Sequence, residues 1–376
     1  MLARLRFPVA QSRGRRYPEP PHPYRNDFQR DRDRIIHSRA FRRLEAKTQV
    51  FTQGMSDHFR NRLTHTIEVA QIARTLASVL ELDEDLTEAL ALAHDIGHPP
   101  FAHAGEDELN RQMARFGEAF DHNLHALRIV ESFEQRYARF PGLNLTFEVR
   151  EGIVKHSRDF EAGENPDLDP YLPGLRPTLE AQLIDLADET AYNTADLDDA
   201  FSAGMLTAAE VADSVPCYRD ILKAVEAQFP AASEREIFHE CLRKLVDRLV
   251  SGLIEGTVGQ ARDAGIETPG DVRAFSPRLA AFTSETAETS RQLKRFLFAR
   301  VYSAPELAEA RGRSVAMIGE LFQFFLDRPD RLPRPYSEQA RQTPAYRVVC
   351  DYLAGMTDGF LRRTYEQTVG ASPRGS

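Results

Sequence analysis

The thirteen residues "HDIGHPPFAHAGE", His94 to Glu106, decide how the rest of the chain is read. They hold three histidines, an aspartate and a glutamate around two prolines and two glycines. Packing does not call for such a set, because a core tolerates His, Asp and Glu only when they are paired or hold a metal. The overlapping stretch "DEDLTEALALAHDIG" (83–97) has acidic residues in its first turn and Leu86, Leu90 and Ala93 along one face, which spells a helix. Gly97 stands where a helix-ending C′ glycine belongs, and Pro99 and Pro100 stop any continuation. The His94–Asp95 pair therefore closes a helix whose earlier positions are apolar, which aims both side chains inward from a rigid support.

Moving outward, "NRLTHTIEVAQIARTLASVLEL" (61–82) sets His65, Val69, Ile72 and Leu76 at offsets 0, 4, 7 and 11, one stripe of a helix. On the other side, helices are expected at about 104–116, 122–139 and 145–157, followed by a Pro/Gly/Asp-rich loop over 158–178. "LEAQLIDLADETAYNTADLDDAF" (179–201) is a long helix with Leu179, Leu183, Leu186 and Thr190 on one side. A second face of it carries Asp185, Asp188, Tyr192, Asp196 and Asp199 at steps of 3, 4, 4 and 3. Helical periods continue near 205–228, 232–258, 288–300, 305–326 and 338–366. No alternating pattern is long enough for a sheet and no internal repeat occurs, so the fold class is all-α. No Gly/Ser linker marks a boundary near 205, so the C-terminal helices are expected to pack as one unit with the rest.

With 376 residues, 42% hydrophobic and 28% charged, the chain has the composition of an ordinary globular protein. It has no apolar run of about 18 residues, hence no expected membrane span. The start "MLARLRFPVAQSRGRRYPEP" lacks an apolar signal core, so secretion is not expected. Cys217, Cys241 and Cys350 are too few and too scattered for a disulfide framework or a thiolate metal site, which fits a reducing cytoplasm. Charge is uneven. The first fifty residues hold 13 Lys+Arg against 5 Asp+Glu, an excess of eight, so with −9 overall the remainder carries −17. Residues 11–26, "QSRGRRYPEPPHPYRN", read as an extended segment of a basic arm over 1–30. Such an arm suits phosphate, from a nucleotide, single-stranded nucleic acid or a neighbouring subunit's ligand; a merely solvated arm fits the charge equally well.

Histidines at 65 and 94, Asp95 and an aspartate of the 179–201 helix would together make an N₂O₂ site for a divalent metal. An upstream His, a His-Asp doublet and a later Asp resemble the signature of the HD-domain metal-dependent phosphohydrolases. Five blocks in order, "SRAFRRLEAKTQVF", "RNRLTHTIEVAQIAR", "HDIGHPPFAHAGE", "FDHNLHALRIVE" and "LADETAYNTADLDD", resemble the deoxyguanosine triphosphate triphosphohydrolase-like proteins, with a weaker echo in "RQLKRFLFARVY". The resemblance implies an HD-domain helical bundle over 31–204 with additional C-terminal helices over 205–376. It implies His65, His94, Asp95 and Asp188 as metal ligands, and His103 with Glu106 as the catalytic pair. By the same resemblance Arg62, His98 and His122 meet phosphates, Gln49 the sugar 3′-hydroxyl, and Tyr192 and Asp196 the sugar. The implied reaction is water attack on the α-phosphorus of a deoxynucleoside triphosphate, releasing deoxynucleoside and triphosphate. Mn²⁺ or Fe²⁺ suits the ligands, with Mg²⁺ or Co²⁺ as substitutes. A second, activating dNTP and a homo-oligomer are further expectations from the family.

The residue chemistry runs the same way. A nucleoside triphosphate carries about four negative charges and needs a cation and donors to hold it. His103 and Glu106 are three apart, so one helical turn can bring the carboxylate to the imidazole. His103 would then donate to the leaving 5′-oxygen or position the nucleophile. Two alternatives stand beside this reading: an HD enzyme acting on a nucleoside monophosphate, cyclic nucleotide or (p)ppGpp, and a single-stranded nucleic-acid-binding protein with a regulatory HD site. The Glu-Asp pair of (p)ppGpp hydrolases and the His-His and Gly-Tyr-Pro elements of cyclic-di-GMP phosphodiesterases do not occur beside this doublet.

Overall fold

The computed structural model describes residues 1–50 and 59–370. Phe51, the last residue of the "SRAFRRLEAKTQVF" block, and residues 371–376 lie outside them. Among the described residues the chain is helical throughout, with only isolated bridges such as Arg15–Thr146 and Thr48–Asn61, so the all-α class holds. It divides into two units of interleaved segments: Met1–Arg34, His65–Leu92 and Leu145–Ala304 form one, and Ile35–Thr64, Ala93–Asn144 and the chain from Pro305 form the other.

In the first unit the Leu179–Ser202 helix starts at Thr178, whose hydroxyl accepts from the Ala181 N–H. Its Asn193 amide donates to Ser290 on the Ser284–Leu297 helix at 3.0 Å, and its Phe201 stacks on Phe238 of the Glu234–Asp263 helix at 3.8 Å. The stripe on the Arg62–Leu80 helix is buried as its spacing predicts, at His65, Val69, Ile72 and Leu76.

The basic arm is packed into this unit. Leu2, Leu5 and Phe7 are buried, and the Leu2 N–H donates to the Leu80 carbonyl at 2.9 Å. Its arginines meet carboxylates, Arg6 with Asp83 at 2.9 Å, Arg15 with Asp31 at 2.5 Å and Arg30 with Glu19; just past the arm, Arg34 also meets Glu19, and Arg32 meets Asp85 and Glu88. Asp83, Asp85 and Glu88 thus offset part of the positive excess of the first fifty residues, while Glu19 and Asp31 belong to those fifty residues themselves.

The second unit centres on Leu109, Met113, Ile318, Phe322, Val349 and Leu353, from the Ala102–Ala114, Pro305–Asp327 and Ala345–Ala354 helices. Three expected helices are shorter than their periodicity. The one expected over 122–139 ends at Phe133 after a wide π-type turn, because the Val130 carbonyl accepts from the returning Leu143 N–H at 2.6 Å. The 205–228 helix breaks at Val215, before Pro216. The 338–366 helix is three, Arg334–Gln339, Ala345–Ala354 and Asp358–Thr368, interrupted at Pro344 and Gly355.

Candidate active site

The helix before the doublet runs Glu84–Ala93, so His94 and Asp95 begin the turn that follows it. Gly97 does not act as a left-handed cap. Its role is close approach: a Cβ there would sit 2.0 Å from the His122 carbonyl oxygen and 2.5 Å from the Ala126 nitrogen. His125 fastens the same point, its Nδ1–H donating to the Gly97 carbonyl at 2.8 Å. Past the prolines, Phe101 (φ +63°) and Ala102 (φ +56°) are both left-handed, a conformation costing side-chain-bearing residues about 1–2 kcal/mol each. That double reversal starts the Ala102–Ala114 helix, which carries His103 and Glu106. Gly105 closes the elbow, since a Cβ would meet the Pro100 carbonyl oxygen at 1.9 Å.

Asp95 sits at the centre of this unit's polar cluster. Its Oδ2 accepts from Arg62 Nη1 at 2.6 Å, its Oδ1 lies 3.0 Å from His98 Nε2, and His94 Nε2 is 3.5 Å from Oδ2. Burial alone would raise its pKa; Arg62, His94 and His98 outweigh that and hold it well below the usual carboxylate range. Burial pushes His98 the other way, well below an ordinary imidazole, so its ring is neutral. His98 stacks on His122 with ring centroids 3.9 Å apart.

Glu106 accepts from the His122 backbone N–H at 3.0 Å and from its Nδ1–H at 2.7 Å. The imidazole nearest this carboxylate is therefore His122, sixteen residues on. His103 Nδ1 is 3.8 Å from Glu106 and His98 Nδ1 4.0 Å, both beyond a hydrogen bond. The His103 side chain is 82% exposed, so it stands at the rim of the cluster. The expected pair becomes a group of four: Glu106, His98, His103 and His122. Gln49 is half-buried, and its Oε1 is buried with no hydrogen-bond partner among the described residues.

In the first unit, His65 Nε2 and Asp188 Oδ1 lie 2.8 Å apart. His156, which sequence reasoning passed over as a helix end, puts Nδ1 2.8 Å from Asp185 Oδ1 and Nε2 3.8 Å from Asp188 Oδ2. Arg278 in turn pairs with Asp185 and Asp159, anchoring the carboxylate that orients His156. One turn along the Leu179–Ser202 helix, Tyr192 lies under the Lys294 ammonium, 5.7 Å from its ring centre. Asp196 accepts a short hydrogen bond from the Tyr302 hydroxyl. Burial raises the pKa of both tyrosines, so both stay protonated. The 292–302 segment, given no role from sequence, thus supplies contacts to two of the expected sugar residues.

The donor chemistry fits a divalent metal. In each unit a buried imidazole stands near a carboxylate oxygen, His65 with Asp188 at 2.8 Å and His94 with Asp95 at 3.5 Å, in the range that separates two neighbouring ligands each about 2.1 Å from one ion.

An all-α fold with a His-Asp doublet after a helix, and imidazole–carboxylate pairs around it, defines an HD-domain phosphohydrolase. The HD domain family matches residues 62–193, and the phosphohydrolase-associated domain family matches residues 280–367. The chain is 46% identical over 367 residues to a deoxyguanosinetriphosphate triphosphohydrolase-like protein of Azoarcus sp. (strain BH72), covering 97% of this chain and 96% of that one. Proteins of the same name from Ralstonia pickettii (strain 12J) and Geobacter sulfurreducens match at 47% over 359 residues and 44% over 350. These alignments cover 95% and 93% of this chain, and 92% and 90% of theirs. The chain belongs to the deoxyguanosinetriphosphate triphosphohydrolase-like family. Among the described residues no helix is long and apolar enough to cross a membrane.

Proposed function

We propose that the protein hydrolyses deoxynucleoside triphosphates to deoxynucleoside and inorganic triphosphate, with His65, His94, Asp95 and Asp188 holding a divalent metal ion. The observation that carries this reading is the Glu106–His122–His98 group built onto the turn that bears Asp95. Bound there, the ion would polarise a phosphoryl oxygen and make water a better nucleophile. Glu106 is ionised at neutral pH: burial would raise its pKa, but the imidazoles around it, with His122 hydrogen-bonded to it, hold it far below the carboxylate range. It fixes the His122 ring by taking Nδ1–H, and in the imidazolium form the ring's Nε2–H would donate to a phosphate oxygen. His98 spends Nε2–H on Asp95 and stays neutral. His103, exposed at the rim, delivers a proton to the 5′-oxygen as the P–O bond breaks. Tyr192 and Asp196 take the sugar, and the unpartnered Gln49 Oε1 accepts from its 3′-hydroxyl. Arg62, held on Asp95 by a 2.6 Å contact, meets the phosphates.

Water oxygen adds to the α-phosphorus and the P–O5′ bond breaks. Hydrolysis in ¹⁸O-labelled water followed by mass spectrometry of both products tests this. The label is expected in triphosphate; label in the deoxynucleoside would place the cleavage at the C–O bond and refute the reading.

A further inference from the structure

Two buried side chains, an aspartate and a lysine, tie three distant segments of the second unit together. Asp358 opens the Asp358–Thr368 helix and is 4% exposed, yet it does not cap that helix. Thr357 does so, accepting from the Phe360 N–H at 3.3 Å. The Asp358 carboxylate is spent elsewhere. Oδ2 accepts from the Thr48 N–H at 2.8 Å, next to Gln49, and Oδ1 accepts from the Phe101 N–H at 3.1 Å. Phe101 is the first of the two left-handed residues that turn the chain into the helix of His103 and Glu106. One turn further along the Asp358 helix, the Arg362 guanidinium lies over the Phe101 ring, 5.0 Å from its centre. The second tie is Lys47. Its ammonium donates to the His98 carbonyl through a short hydrogen bond and to the Ala354 carbonyl at 3.3 Å.

We propose that Asp358, seconded by Lys47, is a positioning residue for catalysis: it holds the 98–102 elbow in its strained left-handed path and so sets His98, His103 and Glu106 against the substrate. A carboxylate that gives both oxygens to backbone amides of two functional segments fixes their mutual register, which a packing side chain would not do. This rests on the reading of those residues as the catalytic group. It also assigns a task to the C-terminal end of the phosphohydrolase-associated segment, 280–367, beside the contacts that Lys294 and Tyr302 make.

The test is Asp358→Asn in the full chain, loaded with Mn²⁺ and supplied with dNTPs. The amide side chain keeps the shape and one acceptor but turns a donor against one of the two N–H groups. Expected are a kcat lower by roughly 10- to 100-fold, the size of effect that small misplacement of reacting groups produces, an unchanged metal stoichiometry, and faster amide exchange across 98–106. A merely structural role would move Tm and leave kcat per folded, metal-loaded molecule unchanged, which would overturn the proposal. Should Asp358→Asn not fold, Lys47→Met removes the second tie alone; the same loss of kcat is expected, and wild-type turnover would overturn the proposal. Glu106→Gln measured alongside separates the two ideas. If that variant turns over like wild type, the catalytic reading has failed; if it is dead while Asp358→Asn is fully active, only the clamp has failed.

Discussion

At Glu106, burial and the neighbouring imidazoles pull one carboxyl group in opposite directions, and the imidazoles, His122 hydrogen-bonded among them, prevail. The group stays charged in a half-enclosed place because the His122 backbone and ring both donate to it. Replacing it by glutamine keeps the shape but puts an amide where an anion oriented the His122 imidazole. Glu106→Gln is expected to lower kcat by about 10²–10⁴, the range of a lost acid–base element, with metal content unchanged by elemental analysis. A kcat within a few-fold of wild type would remove Glu106 from the chemistry. Tyr302 acts at the same scale on specificity. Its hydroxyl orients Asp196, and hydrogen bonds to charged groups are worth about 1.5–3 kcal/mol. Tyr302→Phe is therefore expected to raise the KM for dNTPs roughly tenfold and to narrow the preference over rNTPs, read from steady-state kinetics on both.

At the scale of elements, the elbow and the His122–Arg128 helix form one assembly, pinned by the glycine contact and by His125 on the Gly97 carbonyl. Burial, helped by Arg128, drives the His125 pKa well below that of a free imidazole. The sign follows: as pH falls through about 6.5, the unfolded chain takes up a proton that the folded one refuses, so stability falls on the acid side of that value. The slope from this one group reaches at most about 1.4 kcal/mol per pH unit. Urea unfolding between pH 7 and 5.5 is expected to show it, and His125→Gln to flatten it; identical slopes in both proteins would contradict this account. Much of the helical framework was legible in the sequence. The stripe of His65, Val69, Ile72 and Leu76 and the face of Leu86, Leu90 and Ala93 came directly from periodicity, because burial repeats with the helical turn. The breaks at Pro216 and Pro344 were also in the sequence, overridden by apolar spacing that continues across them. What periodicity cannot see is which distant residue a side chain meets. His103 is three residues from Glu106 and looks like its partner, while the bonded one is sixteen away. Gly97 looks like a cap because its real reason, the backbone of the His122–Arg128 helix, lies beyond local reach.

For the whole molecule, two observations bear on what it acts upon. Arg6, Arg15 and Arg30 of the N-terminal arm pair with acids of their own unit, which weakens the case for a nucleic-acid-binding arm. The family match extends over nearly the full chain, so the expectation of dNTP hydrolysis extends to the C-terminal helices as well. The most direct measurement is product analysis of the pure protein with Mn²⁺ and each of the four dNTPs, alone and mixed, beside the four rNTPs. Equal amounts of deoxynucleoside and triphosphate from dNTPs, little turnover of rNTPs, and a rate change on mixing only if a second nucleotide activates, are the results predicted. Deoxynucleoside monophosphate with pyrophosphate, or no turnover of any mixture by metal-loaded protein, would contradict the account.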